Sequence, residues 1–576
     1  MAGSEPTQQS TMNRPICPLH SALLTLVAFL LAFGAASSTA RAGTALCGTL
    51  TQSQTLTPAG NPYQVTCGLV VPKGVSLTLE PDVRLEIANG VSITVRGQIF
   101  ASGKIGAPVV MTSLSGRWGG VVIDHGGDGD DRQSSLSYVE LSLGTRLLEV
   151  NNTGSSSILV ENCKFDLWSS LAIRWDSAHG LVVRRCDVGV ETPFEQAEQE
   201  SINGYRGGAT VEYCTFGRRK GYRDVIDLGD ASWGEPVPTI RYNTFLGGED
   251  DAIDFDNSAG WIIGNVIMNH WPGPGANPGA NGGGITGENS DTVVINNIVV
   301  GCYHGIGYKN AGTPLILNNL VIDCGIGLTF YQDACDEAKP NAVLFNNIVW
   351  NSRDPDTGTP QNVVLNGAWF PRYCQDTSVD QSTIDMRYSI IEGGWPGEGN
   401  LDLDPLLVDP ASGNFELRDD SPAIDAGFGG PLTKDGVSTA DLLAAWSEDR
   451  IGRSKVNLEC IGDSGSGTIT FGDIGPSELQ APGPCAPQST FIRGDSNGDG
   501  LIDVADAVHI LLWIFSPLVA DSCSDARDVN DNGDITVSDA IALLSHLFQG
   551  SEAPPTPYPT AGADPTKDAL GCERSL

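Results

Sequence analysis

Positive charge is scarce in this chain of 576 residues: 33 Lys and Arg face 70 Asp and Glu, giving a formal net charge of -37. So acidic a surface repels nucleic acid and anionic membranes, which excludes both as partners and makes divalent cations the natural companions. Charge of either sign is sparse too, at 18% of residues, while Gly reaches 70 and hydrophobic residues 40%. The acidity therefore belongs to Asp-rich turns on a globular body, not to a disordered tail. No apolar run after residue 42 is long enough to span a membrane. Sustained 3.6-residue periodicity is missing before the C-terminus, which removes the helix as the main building element.

At this length, roughly three or four domains are expected unless a repeat fold absorbs much of the chain. The N-terminus reads as an export signal: Arg14 precedes the apolar run Ser21-Ala-Leu-Leu-Thr-Leu-Val-Ala-Phe-Leu-Leu-Ala-Phe33, followed by small residues and Ala40-Arg41-Ala42. The run is short for a span of about 20 residues and ends in an A-x-A site, so a signal peptide over residues 1–42 is expected, not an anchor. That predicts a secreted or extracellular protein, with cell-surface association open. Losing Cys17 with the signal leaves thirteen of the 14 cysteines, so at least one is unpaired or pairs between chains.

From about Val71, short β-rich runs recur every 20 to 30 residues, closed by Gly, Asn or Asp. Val75-Ser-Leu-Thr-Leu79, Val83-Arg-Leu-Glu-Ile87 and Val91-Ser-Ile-Thr-Val95 alternate apolar and polar residues, as strands with one buried face do. Later units overlay: Ile158-Leu-Val-Glu-Asn-Cys-Lys-Phe165, Leu181-Val-Val-Arg-Arg-Cys-Asp-Val188 and Ala209-Thr-Val-Glu-Tyr-Cys-Thr-Phe216 put Cys163, Cys186 and Cys214 in one slot. The register is expected to continue through Val293-Val-Ile-Asn-Asn-Ile-Val-Val300, Leu315-Ile-Leu-Asn-Asn-Leu-Val-Ile322 and Val343-Leu-Phe-Asn-Asn-Ile-Val-Trp350, whose Asn pairs mark a turn and can stack in a hydrogen-bonded column.

These units resemble the coils of right-handed parallel β-helix proteins, a family that includes pectate lyases, polygalacturonases, alginate epimerases and many exported proteins. The resemblance spans about residues 71–425, from a cap-like Pro72-Lys-Gly-Val-Ser-Leu-Thr-Leu-Glu-Pro-Asp-Val83 to a terminating Asp404-Pro-Leu-Leu-Val-Asp-Pro410 and Asp420-Ser-Pro-Ala-Ile-Asp-Ala-Gly427. It implies a mainly β fold, with a solenoid and its N-terminal cap over residues 43–427. Residues 428–490 are read as a C-terminal cap and linker, with a short helix at Thr439-Ala-Asp-Leu-Leu-Ala-Ala-Trp446. Cys163, Cys186, Cys214, Cys302 and Cys324 recur at coil spacing and belong to a buried ladder. Disulfide candidates are Cys47 with Cys67, Cys335 with Cys374, Cys460 with Cys485 and Cys523 with Cys572, their connectivity left open.

A second column aligns through its central Ile: Leu171-Ala-Ile-Arg-Trp-Asp176, Asp224-Val-Ile-Asp-Leu-Gly229, Asp251-Ala-Ile-Asp-Phe-Asp256, Gly283-Gly-Ile-Thr-Gly-Glu288 and His304-Gly-Ile-Gly-Tyr-Lys309. Stacked at about 4.8 Å, it sets Asp224 beside Asp251, Asp227 beside Asp254, and Asp256 beside Glu288 and Lys309. Carboxylates so close need a cation or raised pKa values, and Ca²⁺ suits an all-oxygen cluster. The arrangement is similar to that of calcium-dependent uronide lyases of this fold. By that resemblance Asp250, Asp251 and Asp254 would bind calcium, and Lys309 would be the base, with Asp254 beside it in the catalytic pair. The loop Asn269-His-Trp-Pro-Gly-Pro-Gly-Ala-Asn-Pro-Gly-Ala-Asn-Gly-Gly-Gly284 reads as a groove wall, with His270, Trp271, Tyr303 and Tyr308 as sugar contacts. The polygalacturonase motif set is not assembled: Asp250-Asp251 and His304-Gly305 are isolated echoes of it.

Near the C-terminus, Asp495-Ser-Asn-Gly-Asp-Gly-Leu-Ile-Asp-Val-Ala-Asp506 and Asp528-Val-Asn-Asp-Asn-Gly-Asp-Ile-Thr-Val-Ser-Asp539 repeat at an offset of 528 minus 495, or 33 residues. Each has the oxygen pattern of a twelve-residue calcium loop: Asp495, Asn497, Asp499, Asp503 and Asp506 in the first, Asp528, Asn530, Asn532, Thr536 and Asp539 in the second. Leu501 and Asp534 supply carbonyls, and Gly500 and Gly533 the sharp turn. A helix-period pattern follows each loop (Val504, Val508, Leu511 and Phe515; Val537, Ile541, Leu544 and Phe548), and these apolar faces are expected to pack together. The Pro-rich Ala481-Pro-Gly-Pro-Cys-Ala-Pro487 cannot supply the leading helix of a full EF-hand. Loop plus following helix resembles a type I dockerin over residues 491–550, before a Pro-rich tail at 551–576. That resemblance implies calcium-dependent docking to a cohesin partner, although Val504-Ala505 and Val537-Ser538 replace the usual Ser-Thr pair.

Two functions follow: a carbohydrate-active lyase or hydrolase on an acidic polysaccharide, or a non-catalytic surface or matrix-binding protein. The acid stripe favours the first and the incomplete catalytic motif the second.

Overall fold

The computed structural model describes residues 43–273, 282–332, 338–365, 382–458, 463–480, 490–515, 523–564, 566, 570 and 572. The expected signal peptide and the pairs Cys335 with Cys374 and Cys460 with Cys485 lie outside the described residues.

Short strands follow one another in a repeating order of three. One coil runs Ile253–Asp256, Ala259–Ile263, Val266–Met268; the next runs Gly283–Glu288, Asp291–Ile295, Ile298–Val300. Each strand pairs in parallel with its equivalent one coil on. The chain thus winds a parallel β-helix with three faces, called A, B and C in that order, and face B alone is a thirteen-stranded sheet. Interior positions hold Val, Leu, Ile and Phe, and the outward positions between them are half-buried, as in the BiBi pattern of Ile253–Asp256. Phe216 and Phe245 stack inside at 4.8 Å, the spacing of adjacent coils.

The turn from face B to face C rests on one column. Its first residue takes the left-handed conformation, as at Asn162 (φ 54°), Asn296 (φ 59°), Asn318 (φ 53°) and Asn346 (φ 58°), which asparagine tolerates best among residues with a side chain. The next side chain points in. Backbone N–H groups of Cys163 and Cys186 donate to the sulfur of the cysteine one coil on, and Cys214 N–H donates to Asn243 Oδ1 at 2.9 Å. The column continues through Asn265, Asn297, Asn319 and Asn347 to Ser389. Octapeptides overlaid as written put Ile298 in the cysteine slot. The register corrects this by one residue, because Ile263 pairs with Ile295 and Asn297 then shares the slot of Cys214 and Asn265. Cys302 and Cys324 are buried elsewhere in the coils.

Strands such as Leu315–Leu317 and Leu320–Ile322 are buried on both sides, which is why they do not alternate. What covers them is the segment after the last coil. Leu417, Ala423, Ile424, Leu458 and Ile474 pack on Ile298, Leu320, Ile322 and Ile348 outside face C. Helix α1 (Thr439–Trp446), N-capped by Ser438, brings Leu442 and Trp446 against Val293, Ile295, Leu315 and Leu317 outside face B. The cap carries its own buried ion pair, Lys455 to Glu478 at 3.0 Å. Among the described residues the cap's apolar side chains pack on faces B and C, while on face A the outward Thr329 and Tyr331 are buried as well.

Helices α2 (Val504–Phe515) and α3 (Val537–Gln549) pack through Ala507, Ile510, Ala540 and Leu543. This corrects the expected helix contact in part: Leu511 and Leu544 pack against that core, but Val504, Val508, Phe515, Val537, Ile541 and Phe548 lie exposed, because the small alanines let the other sides approach closely. The tail from residue 551 belongs to this packed unit. Arg493, fully buried, donates to Asp528 O, Thr556 O and Asp564 Oδ1, and Cys523 is bridged to Cys572. Cys47 is bridged to Cys67 at the other end.

The Asn column yields a stability test. Asn297→Ala leaves the buried Asn265 N–H without its acceptor and should lower stability by about 2 to 4 kcal/mol, whereas Cys186→Ala costs under about 2 kcal/mol. Midpoints of denaturant unfolding compare the two, and equal shifts would show that the column is not a hydrogen-bonded spine.

Candidate functional site

Face A gathers the acid stripe as the coil register requires. Asp227 pairs with Asp254, and Asp256, Glu288 and Lys309 follow in one column. A further coil, Ile202–Tyr205, belongs between the first two aligned units; its Asn203 donates to Asp227 Oδ2 at 2.8 Å, and Glu200 joins the acids. The anchor Ile202 with alternate outward residues was the signal that could have found it.

Ligand oxygens of Asp224, Asp250 and Asp251 converge within 4.8 Å of one another. This set differs from the expected Asp250, Asp251 and Asp254. Asp254 instead meets Asp251 through Thr286, whose hydroxyl lies 2.9 Å from Asp251 Oδ2 and 2.9 Å from Asp254 Oδ1. A hydroxyl has one proton to donate, so Thr286 can give a hydrogen bond to only one of these carboxyls at a time. Burial, then the neighbouring charge of Asp250 for Asp251 and of Asp251 for Asp254, pushes both pKa values up to about 7. Burial also lifts Asp227 and Asp256 to about 7 and holds Asp224 well above the usual carboxylate range. A hard, all-oxygen set under this repulsion fits a divalent cation of the calcium type.

Lys309 is in its expected column, with Asp251, Asp254, Thr286, Thr329 and Tyr331 around the same cleft of about 30 Å³. Burial works against its charge, but Glu288 at 2.8 Å outweighs that and holds the ammonium above the ordinary lysine range. The ion pair with Glu288 favours the charged form of Lys309, the opposite of the form in which a lysine acts as a general base.

The expected sugar contacts divide. Tyr308 lies in the core at 1% exposure, its hydroxyl hydrogen-bonded with that of Thr292. The two-residue period that puts Ile306 inside puts Tyr308 inside as well. His270 is fully buried; its Nδ1–H donates to Asp250 O at 2.7 Å, and burial lowers its pKa to about 4. It positions the Asp250 backbone and cannot touch substrate. Trp271 and Tyr303 are half-buried and meet edge to face at 5.1 Å. Most of the loop between Trp271 and Gly284 lies outside the described residues.

In the C-terminal loops, Asp495 accepts from the N–H groups of Gly498, Asp499 and Gly500, and Asp528 from those of Asn532 and Gly533. Asp506 and Asp539 close the loops, fully buried, by accepting from Asp503 and Thr536 N–H. Gly500 and Gly533 make the turn at φ 80° and 82°. Both donor sets suit calcium.

With this geometry established, comparison places the coils among known folds. Residues 200–384 match the family described as "Right handed beta helix region". The chain therefore carries a right-handed parallel β-helix. Among solved structures it is similar to the pectate lyase Pel9A, at 14% identity over 71% of this chain and 89% of that one, with a TM-score of 0.32. It is also similar to a mannuronic acid specific family 6 polysaccharide lyase from human gut microbiota (11% identity; 59% and 86% covered; TM-score 0.28). A third is the periplasmic alginate epimerase AlgG (10%; 62% and 78%; 0.28). These likenesses concern the fold alone. No curated protein matches. Among the described residues no helix is long and apolar enough to cross a membrane.

The raised carboxyl pKa values predict a pH dependence. Their folded values near 7 exceed the unfolded value of about 3.9, so folding favours the protonated form. The stability they contribute is present in full below about pH 4 and is lost as pH rises through about 7. With chelator present, melting should occur at a lower temperature at pH 8 than at pH 5.5. Calcium should restore it at pH 8, and Asp251→Asn should flatten the difference. A cluster without influence would leave the two variants parallel.

Proposed function

We propose that this is an exported carbohydrate-active protein that degrades an acidic polysaccharide, as a lyase or glycoside hydrolase, and is attached to a partner by a calcium-dependent dockerin-like module. The observation that carries the reading is the convergence of Asp224, Asp250 and Asp251, with Asp254 and Lys309 beside them, on face A. A calcium ion bound to the three carboxylates would screen a substrate carboxylate. Asp254 is assigned the role of proton acceptor, held by Thr286. Lys309, kept charged by Glu288, would stabilise negative charge developing on the sugar. Trp271 and Tyr303 would contact sugar rings at the groove wall.

The attachment reading is supported by the paired loops and by Val504, Val508, Phe515, Val537, Ile541 and Phe548, exposed at matching positions 33 residues apart. So many exposed apolar side chains on two short helices suit a protein partner, a cohesin by the resemblance. A non-catalytic, matrix-binding role is the second reading, favoured by the narrow cleft and the Lys309–Glu288 ion pair.

Incubation with uronate polymers and calcium should release unsaturated ends, followed by absorbance, and Asp254→Asn or Lys309→Ala should slow this at least about 100-fold. Absence of product from every acidic polymer, with binding retained, would decide for the matrix-binding role. Asp495→Ala combined with Asp528→Ala should abolish calcium uptake by the C-terminal loops and, with it, any cohesin complex seen by mass measurement. Calorimetric titration showing unchanged calcium stoichiometry would remove the module from the reading.

A further inference from the structure

The chain enters the acid cluster through Gly217-Arg218-Arg219-Lys220-Gly221-Tyr222-Arg223-Asp224, four cations in a protein that has few. Three have a partner within the fold. Arg219 is buried, donating to Gly189 O at 3.0 Å and lying over the Trp168 ring. Arg218 lies over Phe194 at 4.6 Å, and Lys220 is ion-paired with Glu195. Arg223 differs. It is exposed, its guanidinium donates to Tyr222 O at 3.1 Å, and its charge reaches Glu200 without a direct ion pair among the described residues. Elsewhere on the coils Arg146, Arg174, Arg206 and Arg241 each have a carboxylate.

The loop that carries Arg223 is held firmly. Gly221 N–H donates to Glu249 Oε2 at 2.7 Å, Lys220 N–H to Ala197 O at 2.8 Å, and Glu249 N–H to Arg219 O at 3.0 Å. It is thereby stitched to the next loop, which carries Asp250 and Asp251. Asp224, directly after Arg223, accepts from Asp251 N–H at 3.3 Å. Tyr222 is 53% exposed at the same rim, within electrostatic reach of Asp250, Asp224 and Lys309.

We propose that Tyr222 and Arg223 form a rim subsite that selects an anionic polysaccharide, Arg223 pairing with a sugar oxyanion and Tyr222 offering its ring to the sugar face. A guanidinium fork binds a planar oxyanion through two parallel hydrogen bonds, and an exposed aromatic gives rigid contact area at low entropic cost. The shared ligand chemistry is a carboxylate or a sulfate ester on a sugar chain. This rests on reading face A as a polysaccharide site, and it supplies the charge selection that the acid cluster by itself would oppose.

The test uses the full chain with calcium at pH 7, titrated calorimetrically with polygalacturonate, a sulfated galactan and a neutral glucan. Binding of one anionic polymer is expected, and it identifies the oxyanion. Arg223→Gln should weaken it about tenfold and flatten its salt dependence, with Arg223→Lys intermediate. Tyr222→Ala should weaken it and Tyr222→Phe retain it, all with unchanged melting temperatures. Unaltered affinity and salt slope in Arg223→Gln would overturn the subsite. If that occurs while Asp251→Asn still abolishes product release, the polysaccharide-degrading reading stands without it. If Arg223→Gln weakens binding and no polymer is cleaved, the subsite stands and the catalytic reading falls. Wild-type binding to the neutral glucan alone overturns both.

Discussion

Parallel stacking of coils is the constraint on which everything else depends. Each strand satisfies its backbone groups with the equivalent strand of the coils before and after it, so equivalent side chains repeat at the strand spacing along every column. An apolar residue in such a column finds another apolar residue, and an asparagine finds another asparagine to bond. An aspartate finds another aspartate, which is unfavourable. The same geometry that makes Asn243 to Asn347 a spine makes Asp224, Asp227, Asp251 and Asp254 a strained cluster with elevated pKa values. A cation or a retained proton resolves the repulsion.

The cap decides which strands of faces B and C are dry on their outer side. Residues after the last coil fold back along the outside of faces B and C, burying Val293, Ile295 and Leu315 on one and Ile298, Leu320 and Ile348 on the other. Those strands lose their alternation because both of their sides are dry. On face A the outward Asp254, Asp256, Thr286, Glu288 and Lys309 stay half-buried, while Thr329 and Tyr331 one coil further on are buried. Tyr222 and Arg223 are exposed in the loop before Asp224, and Trp271 and Tyr303 are half-buried.

The C-terminal unit follows a different logic, with a small core of Ala507, Ile510, Val529, Ala540 and Leu543 and two loops dense in carboxylates. So small a core needs other support. Arg493 supplies it by drawing Asp528 O, Thr556 O, Asp531 and Asp564 around one buried guanidinium, which joins the second loop to the Pro-rich tail. Leu511, Ile514, Leu544 and Leu547 pack partly buried against that core, while Val504, Val508, Phe515, Val537, Ile541 and Phe548 are left outside.

Much of this was legible from the residues. Two-residue alternation and recurring Cys and Asn slots determined the coils, the central Ile of each unit determined the acid columns, and the helix-period patterns after the paired loops marked α2 and α3. Local periodicity suffices there because a stacked coil repeats its environment, so sequence neighbours translate directly into spatial ones. Tertiary structure alone decided the rest. Whether Asp224 or Asp254 completes the carboxylate set depends on how a turn and a threonine hydroxyl orient side chains that the register merely brings near. That Glu288 pairs with Lys309, that His270 is buried under Asp250, and that α2 and α3 pack with alanines at their contact are outcomes of packing between segments, where burial and charge partners are set by non-local contacts. The tail's place beside Arg493 and the cap's place on two faces are of the same kind, since neither segment has a repeat to announce its neighbour.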